Sequence, residues 1–479
     1  MKEEWEQMFT AEQPLFKQHC QCERLVKHRD KIGNVASKYL VYSEKGTVRA
    51  FLTKKHYTLI QENGKKLLDK NIAMQTIEEI KQAIASFQNA ETNLRSLLVE
   101  NSPSHGKEFV ENYQKFDTEL LKIFAYLLTT WEATVHYTEE ELRQKLASEE
   151  KFITLTTPTE PDLLLREKMS LLEVARSPTE EKIKKHTLDY ALLYCNIDSE
   201  KEAFQLAETK LNAVSIPELQ KEIENSLAKL EKTKAKQRQI LKEVNSEDVE
   251  SLAFTLQQFS LLRLELKACW QGVHYYLFPL FEQIAAETSS TIRDVMMFWT
   301  SSEILNFLQN SIAPRKGEVE ERADFYLLLL SDGKIQFYTG EKARKVKDEV
   351  FEELSTAHLT EFKGAIANLG IVRGVVKLLK TDDLRLAGKN LSEMKENSVL
   401  VVGMTNPNMV QIARKAIAIV TDEGGVTCHA AIISREFNIP CIIGTKIATQ
   451  VLKDGDEVEV DANAGVIRIL KRNSGPSEI

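Results

Sequence analysis

The feature that most constrains the fold of this chain is its apolar periodicity between Tyr57 and Leu308. Over this stretch apolar residues recur every three or four positions, for example at Ile77, Ile80 and Ile84. This spacing predicts amphipathic helices. The chain contains only 19 glycines and 11 prolines in 479 residues, and such a low content of helix breakers favours long helices over an all-β fold. We therefore predict a large, mostly helical domain over residues 61–355.

The sequence on either side of this stretch carries strand patterns. Residues 1–60 have the pattern of a mixed N-terminal region, in which Tyr39–Tyr42 and Val48–Leu52 predict a β-hairpin. A second hairpin is predicted where Tyr326–Leu330 and Ile335–Tyr338 flank a Ser-Asp-Gly turn. The helical period is therefore bounded by short β segments.

The C-terminal part of the chain is rich in β-branched residues and glycine. Strand-like runs alternate there with short helical segments, a pattern typical of a compact α/β domain. We assign residues 362–472 to this domain and residues 473–479 to a flexible tail, so the predicted fold is a multidomain α plus α/β chain. The predicted strands are Gly374–Leu379, Ser398–Val402, Ala416–Val420, Cys441–Ile443, Glu457–Val460 and Val466–Leu470, and the predicted helices are Asn408–Lys415 and His429–Phe437.

Charge and cysteine content argue against several classes of function. The net charge of −8 has the opposite sign to that of a typical nucleic-acid binder, so we predict no nucleic-acid partner. No apolar run approaches the ~20 residues that span a bilayer, and the acidic N-terminus lacks the plan of a secretory signal. We therefore predict a cytoplasmic protein without a membrane partner. The His19-Cys20-x-Cys22 pattern, with His28, lacks the second ligand pair of a zinc site, and we predict no metal ligands.

One segment, residues 421–444, carries the residue types needed for phosphoryl chemistry. A predicted strand ends there, and two glycines, Gly424 and Gly425, allow a tight turn after it. Thr427 stands where a helix N-cap is expected, and His429 falls in the first turn of the following helix. The sequence therefore predicts a histidine at the start of a helix that a glycine turn opens.

A helix N-terminus stabilises an anion, because its amide groups are free and its dipole is positive there. The same field disfavours an imidazolium, so we expect His429 to stay neutral and to keep a lone pair for attack. The side chains of Thr427, Ser434 and Arg435 could add hydrogen bonds or positive charge to the phosphoryl oxygens. A capping or packing role is the alternative for a histidine considered without its context.

The segment closely resembles the phosphohistidine, or swivelling, domain of the phosphoenolpyruvate (PEP)-utilising enzymes, which include PEP synthase and rifampicin phosphotransferase. The family pattern is a strand, Gly-Gly, Thr-(Ser/Cys)-His-Ala-Ala, an aliphatic pair, Arg-Glu, Ile-Pro and a closing strand. The resemblance implies that Cys428 is a small residue next to His429 and does not act as a thiol catalyst. Similarity also extends upstream to Gly364–Gly374 and Thr405-Asn406-Pro407, and more loosely to Ile292–Leu308 with Glu303 and Arg322. The matching positions are Gly424, Gly425, Thr427, Cys428, His429, Ala430, Ala431, Arg435, Glu436, Ile439, Pro440 and Gly444.

The resemblance implies a compact β/β/α swivelling domain and a phosphotransferase activity. His429 would become phosphohistidine, and the domain would swing to present the phosphoryl group to an acceptor. That acceptor would be pyruvate, as in a pyruvate, water dikinase, or another small molecule held by the helical domain. We expect neither the family's ATP-grasp domain nor its C-terminal barrel on this chain. A separate ATP-grasp partner chain would then supply the donor site, with its ATP and Mg²⁺.

A non-catalytic protein is the alternative from a different class of function. In that interpretation the helical domain is a binding or regulatory module, and the histidine domain is a relic or a phospho-relay receiver. The intact Gly-Gly-Val-Thr-Cys-His run favours retained chemistry, because a relic has no physical reason to keep this arrangement.

Overall fold

The computed structural model describes residues 4–99, 106–146, 148–194, 200–351, 359–379, 394–395, 397–405, 409–425 and 428–473. The chain divides into two compact units. The helical unit comprises Gln13–Gly46 and Thr53–Val346, and the C-terminal unit comprises Met1–Glu12, Thr47–Leu52 and Lys347–Ile479.

Helices dominate the described residues up to position 350, and strands dominate those that follow. The first part contains β1 (Trp5–Glu12), α1 (Leu15–Lys27), β2 (Lys38–Glu44), β3 (Thr47–Thr53), α2 (Lys54–Gly64), a 3₁₀ helix (Lys65–Leu68), α3 (Lys70–Val99), α4 (Lys107–Thr129), α5 (Glu132–Leu146), α6 (Glu149–Thr156), α7 (Leu163–Arg176), α8 (Glu180–Asp189), a second 3₁₀ helix (Ala191–Tyr194), α9 (Glu200–Ala213), α10 (Ile216–Val244), α11 (Glu247–Glu287), α12 (Ile292–Phe298), α13 (Ser301–Asn310), α14 (Lys316–Asp324), β4 (Phe325–Ser331), β5 (Lys334–Thr339) and α15 (Gly340–Val350). The second part contains β6 (Glu361–Lys363), β7 (Ala365–Asn368), β8 (Ile371–Leu379), β9 (Ser398–Val402), α16 (Val410–Lys415), β10 (Ala418–Thr421), α17 (His429–Phe437), β11 (Cys441–Ile443), α18 (Ala448–Val451), β12 (Glu457–Asp461) and β13 (Val466–Lys471).

The helical unit is organised around α11, a helix of 41 residues. The hydroxyl of Ser246 caps its start by accepting a hydrogen bond from the Val249 amide, which satisfies one of the free N-terminal donors. Apolar residues such as Phe259, Trp270 and Phe281 are buried along its length, and α3, α4 and α5 pack against it. The predicted helical character of this part of the chain is therefore confirmed, although the compact unit is Gln13–Gly46 with Thr53–Val346 and not residues 61–355.

Within the helical unit, β2, β4 and β5 form antiparallel pairs in that order. The predicted Tyr326–Tyr338 hairpin is confirmed, with Asp332 and Gly333 at positive φ (51° and 78°) in its turn, as a type I′ turn requires. Lys38–Glu44 pairs with Phe325–Ser331, so the N-terminal region does not stand apart from the helical domain. Strands form at Lys38–Glu44 and Thr47–Thr53, where the first hairpin was predicted, and the division into compact units assigns the two strands mainly to different units.

The described residues between 359 and 473 include an eight-stranded sheet of order β6-β13-β12-β8-β9-β10-β11-β7. The central strands β8, β9, β10 and β11 are parallel. The bordering strands β12 and β7 are antiparallel to their neighbours β8 and β11. Val399, Val401, Val420 and Ile442 lie in its core, which explains why these strands are β-branched and apolar. The compact C-terminal α/β fold is therefore confirmed. The carboxyl ends of β9, β10 and β11 share one edge of the sheet.

None of the helices in the described part of the chain combines the length and the apolarity needed to cross a bilayer.

Candidate phosphohistidine site

His429 is the first residue of α17, the helix that follows β10. The N-cap position is Cys428, in extended conformation and without a side-chain capping bond, so the helix does not begin with the predicted Thr427 cap. Thr427 itself lies outside the described residues, as does Val426. The helix thus starts directly at the histidine, so His429 belongs to the first turn, whose main-chain amides lack partners within the helix.

The imidazole of His429 is buried, and Nδ1 lies 3.0 Å from Oγ1 of Thr405. Thr405 follows β9, so the contact joins the carboxyl ends of two neighbouring parallel strands. A neutral imidazole has one donor and one acceptor nitrogen, and the partner of one nitrogen sets the tautomer of the ring. If Nδ1–H donates to Thr405, the lone pair is on Nε2.

Gly424 explains the shape of the turn before the helix. Its φ is +113°, a conformation that favours glycine, and a Cβ at this position would lie 2.6 Å from Sγ of Cys428. The Gly425 carbonyl accepts a hydrogen bond from the Cys428 amide at 2.9 Å. Gly424 is therefore the residue at which this turn requires glycine.

A comparison with known protein families matches this part of the chain. Residues 394–465 match the model of the mobile domain of PEP-utilising enzymes. This segment is therefore similar to a PEP-utilising enzyme mobile domain, and we use the name mobile domain for the β/α region of residues 359–473 that contains it.

Several known proteins are similar to part of this chain. A probable PEP synthase of Archaeoglobus fulgidus is 46% identical over 126 residues, which are 26% of this chain and 16% of that protein. The uncharacterized phosphotransferase YvkC of Bacillus subtilis is 29% identical over 203 residues, which are 41% of this chain and 24% of that protein. Each alignment thus spans a minor part of the relative's own length.

Among solved structures, the holo form of aconitase X from Thermococcus kodakaraensis aligns with 23% of this chain and 98% of its own length. The sequence identity is 18% and the TM-score is 0.19, a value too low to support a conclusion about the fold.

The remaining predicted site residues of the mobile domain make contacts within α17 or next to it. The Ser434 hydroxyl donates to the Ala431 carbonyl at 3.0 Å, and Nε of Arg435 donates to the Ala367 carbonyl at 3.0 Å. Neither hydrogen bond involves His429, and a role of these side chains in phosphate binding stays a prediction. Cys428 is buried at 7% exposure.

Asp422, which is absent from the site residues predicted from the sequence, lies between β10 and His429. It follows β10 directly, and its buried carboxylate accepts hydrogen bonds from Thr445 and Thr449. Burial raises the pKa of Asp422 and outweighs these hydrogen bonds, which act in the opposite direction. Its position immediately before the glycine turn was the available sequence signal.

Thr405 entered the prediction only through the Thr-Asn-Pro similarity, and the structure brings it to the histidine.

For Arg373 the sequence allows either phosphate binding or simple exposure. In the structure its exposed guanidinium pairs with Glu459 at 2.8 Å on the neighbouring strand. Among the described residues no group of three or more His, Cys, Asp and Glu side chains is arranged to hold a metal ion.

Proposed function

We propose that this chain is a phosphotransferase component in which His429 carries a phosphoryl group from an ATP-derived donor to a small-molecule acceptor. The mobile-domain match and relatives named PEP synthase and phosphotransferase support this proposal. The observation that carries it is the position of His429: the first residue of a helix, at the carboxyl ends of parallel strands, with Nδ1 at 3.0 Å from Thr405.

In this proposal Nδ1–H donates to the hydroxyl of Thr405, and the Nε2 lone pair attacks phosphorus. The Nε2–P bond forms as the P–O bond to the nucleotide breaks in line, and the nucleotide leaves with the bonding electrons. The amides and the positive dipole end of α17 are suited to the charge of the phosphoryl oxygens. The return step transfers the group from Nε2 to an oxygen of the acceptor.

The donor in this proposal is ATP held by a separate ATP-grasp protein. Its Mg²⁺ would neutralise phosphate charge at that donor site, and no residue of this chain is assigned to it. The acceptor is pyruvate, as the names of the PEP synthase relatives suggest, or another small molecule bound by the helical unit. We place this activity in the cytoplasm, where ATP is available.

The test is transfer of labelled phosphate to the purified chain. The protein is incubated with β- or γ-labelled ATP and Mg²⁺, with and without a candidate ATP-grasp protein, and acid-labile label and intact mass are measured. We expect label in the wild type only with the partner, and none in His429→Ala. Retention of the β-phosphate would indicate a dikinase route, and of the γ-phosphate a simple kinase route. No label under any condition would contradict the proposal and favour a non-catalytic binding protein.

A further inference from the structure

The carboxylate of Asp422 connects the end of β10 to residues 445–449, which follow β11. Asp422 is 2% exposed, and it accepts hydrogen bonds from the Thr445 hydroxyl at 3.0 Å and the Thr449 amide at 3.2 Å. The Thr449 hydroxyl is a third donor to the same carboxylate. Because these donors follow β11, the carboxylate holds residues 445–449 against the end of β10.

The main chain around Asp422 extends this connection to β9. The Asp422 amide donates to the Val402 carbonyl at 3.3 Å, and the Glu423 amide donates to the Gly403 carbonyl at 3.0 Å. The Lys446 amide in turn donates to the Asp422 carbonyl at 2.9 Å. The carboxyl ends of three parallel strands are therefore tied together at this one residue.

The two segments that position His429, the one that carries Thr405 and the one that leads into α17, both begin at these connected strand ends. Thr405, whose hydroxyl contacts Nδ1, lies two residues after Gly403. The turn that begins at Glu423 leads through Gly425 to the amide of Cys428, immediately before the histidine. A shift at Asp422 would therefore displace the hydroxyl and the helix start relative to each other.

We propose that Asp422 is a positioning residue for phosphoryl transfer at His429, and that it acts by tying the β9, β10 and β11 strand ends. The inference rests on the proposed function of His429. The carboxylate suits this task because its oxygens accept all three donors from residues 445–449. An Asn side chain has one acceptor oxygen and an NH₂ group, and that group would face a donor.

The experiment uses phosphoramidate as the phosphoryl donor, so it needs no partner protein. The imidazole nitrogen forms a bond to phosphorus, the P–N bond of phosphoramidate breaks, and ammonia leaves. The rate of labelling is followed by intact mass, and ³¹P NMR gives the ratio of the Nδ1 and Nε2 isomers. We expect Asp422→Asn to lower the rate by about 10- to 100-fold, as loss of an orienting contact does elsewhere. We also expect a larger share of Nδ1 product, since the Thr405 contact at Nδ1 is loosened.

The matched control is Asp456→Asn in the same domain. Asp456 is also buried, at 0% exposure, and its carboxylate accepts from the Asn473 amide at 2.8 Å and from Arg472 at 3.1 Å. A purely structural effect of losing a buried carboxylate would lower thermal stability in both variants without changing the isomer ratio. We expect the control to keep the wild-type rate and ratio in its folded state.

Thr449 supplies a second, milder variant pair. Thr449→Val removes the hydroxyl donor and Thr449→Ser retains it, so we expect about 10-fold slower labelling only in the valine variant. If Asp422→Asn and Thr449→Val both keep the wild-type labelling rate and isomer ratio, the inference is overturned and the proposed function still stands. If Asp422→Asn does not fold, the result for Thr449→Val alone decides the inference. A wild type that is labelled no faster than His429→Ala would overturn the proposed function and the inference with it.

Discussion

The hydroxyl of Thr405 lies 3.0 Å from Nδ1 of His429, although 24 positions separate the two residues in the chain. The contact is buried and joins the loop after β9 to the start of α17. A hydrogen bond to one imidazole nitrogen orients the ring and selects which nitrogen carries the lone pair. If Nδ1–H donates to Thr405, the lone pair is on Nε2, the nitrogen that the proposed function assigns as the nucleophile.

Removal of the Thr405 hydroxyl is expected to slow phosphoryl acceptance. In Thr405→Val the imidazole loses the partner that orients it, and we expect the labelling rate of His429 to fall by about 10- to 100-fold. Thr405→Ser keeps the hydroxyl and is expected to stay within about threefold of the wild type. Equal rates in the valine and serine variants would show that the contact does not orient the ring.

A methyl group at Gly424 is expected to disturb both stability and labelling. In Gly424→Ala the new Cβ would lie 2.6 Å from Sγ of Cys428 at a φ of +113°, and we expect a loss of about 1–3 kcal/mol in the free energy of unfolding. Gly333→Ala is the control, because its φ is +78° and no atom lies within 4 Å of its Cβ position. Urea denaturation measures stability, and His429 labelling should fall in the Gly424 variant alone. A normal labelling rate in Gly424→Ala would contradict this prediction.

Gly64 allows α2 and α5 to approach closely in the helical unit. A Cβ at Gly64 would overlap the main-chain carbonyl of Thr134, so Gly64→Ala is expected to destabilise the unit by about 3 kcal/mol through overpacking. Gly317→Ala is the matched variant, since no atom lies within 4 Å of its Cβ position. Because Gly317 lies in α14, alanine there should stabilise by about 0.5 kcal/mol. Chemical denaturation of both variants tests the contrast, and a neutral Gly64→Ala would refute it.

The Glu303–Arg322 pair predicts an acid-sensitive component of stability. Both guanidinium contacts measure 2.7 Å, and Arg322 also donates to the Phe298 carbonyl at 3.0 Å. Burial raises the pKa of Glu303, whereas its hydrogen bonds lower the pKa, and the hydrogen bond from Arg322 is the strongest of these. Together the lowering effects prevail, so the pKa lies below its ordinary value of 4.5. Because the Glu303 side chain is 25% exposed, we expect loss of this partner to cost about 1–3 kcal/mol, less than for a fully buried pair.

A lowered pKa in the folded state means that the folded protein binds this proton less readily than the unfolded chain. The stabilisation is therefore present above pH 4.5 and is lost as the pH falls through the lower folded-state pKa. We expect Glu303→Gln to be less stable than the wild type at pH 7 and to lose less stability on acidification. The exposed control Glu320→Gln should keep the wild-type profile in pH-dependent thermal denaturation. Parallel curves for Glu303→Gln and the wild type would refute the assignment.

Much of the mobile domain could be read from local sequence. The strands Ser398–Val402 and Cys441–Ile443 and the helix His429–Phe437 begin and end where they were predicted. These limits depend on short-range causes: β-branched runs, a glycine turn, and an asparagine in left-handed conformation after Phe437. The His-Ala-Ala motif identified the candidate nucleophile for the same reason, because the chemistry lies within a few consecutive residues.

The sequence by itself determined the helical and α/β character of the two regions and the identity of His429 as the candidate nucleophile. Only the tertiary structure brought Thr405 to the imidazole, tied Asp422 to Thr449, and paired Lys38–Glu44 with Phe325–Ser331. Local patterns follow from steric preference and apolar period, which neighbouring residues specify among themselves. Contacts between distant segments depend on the packing and register of whole strands, and no single stretch of sequence contains that information.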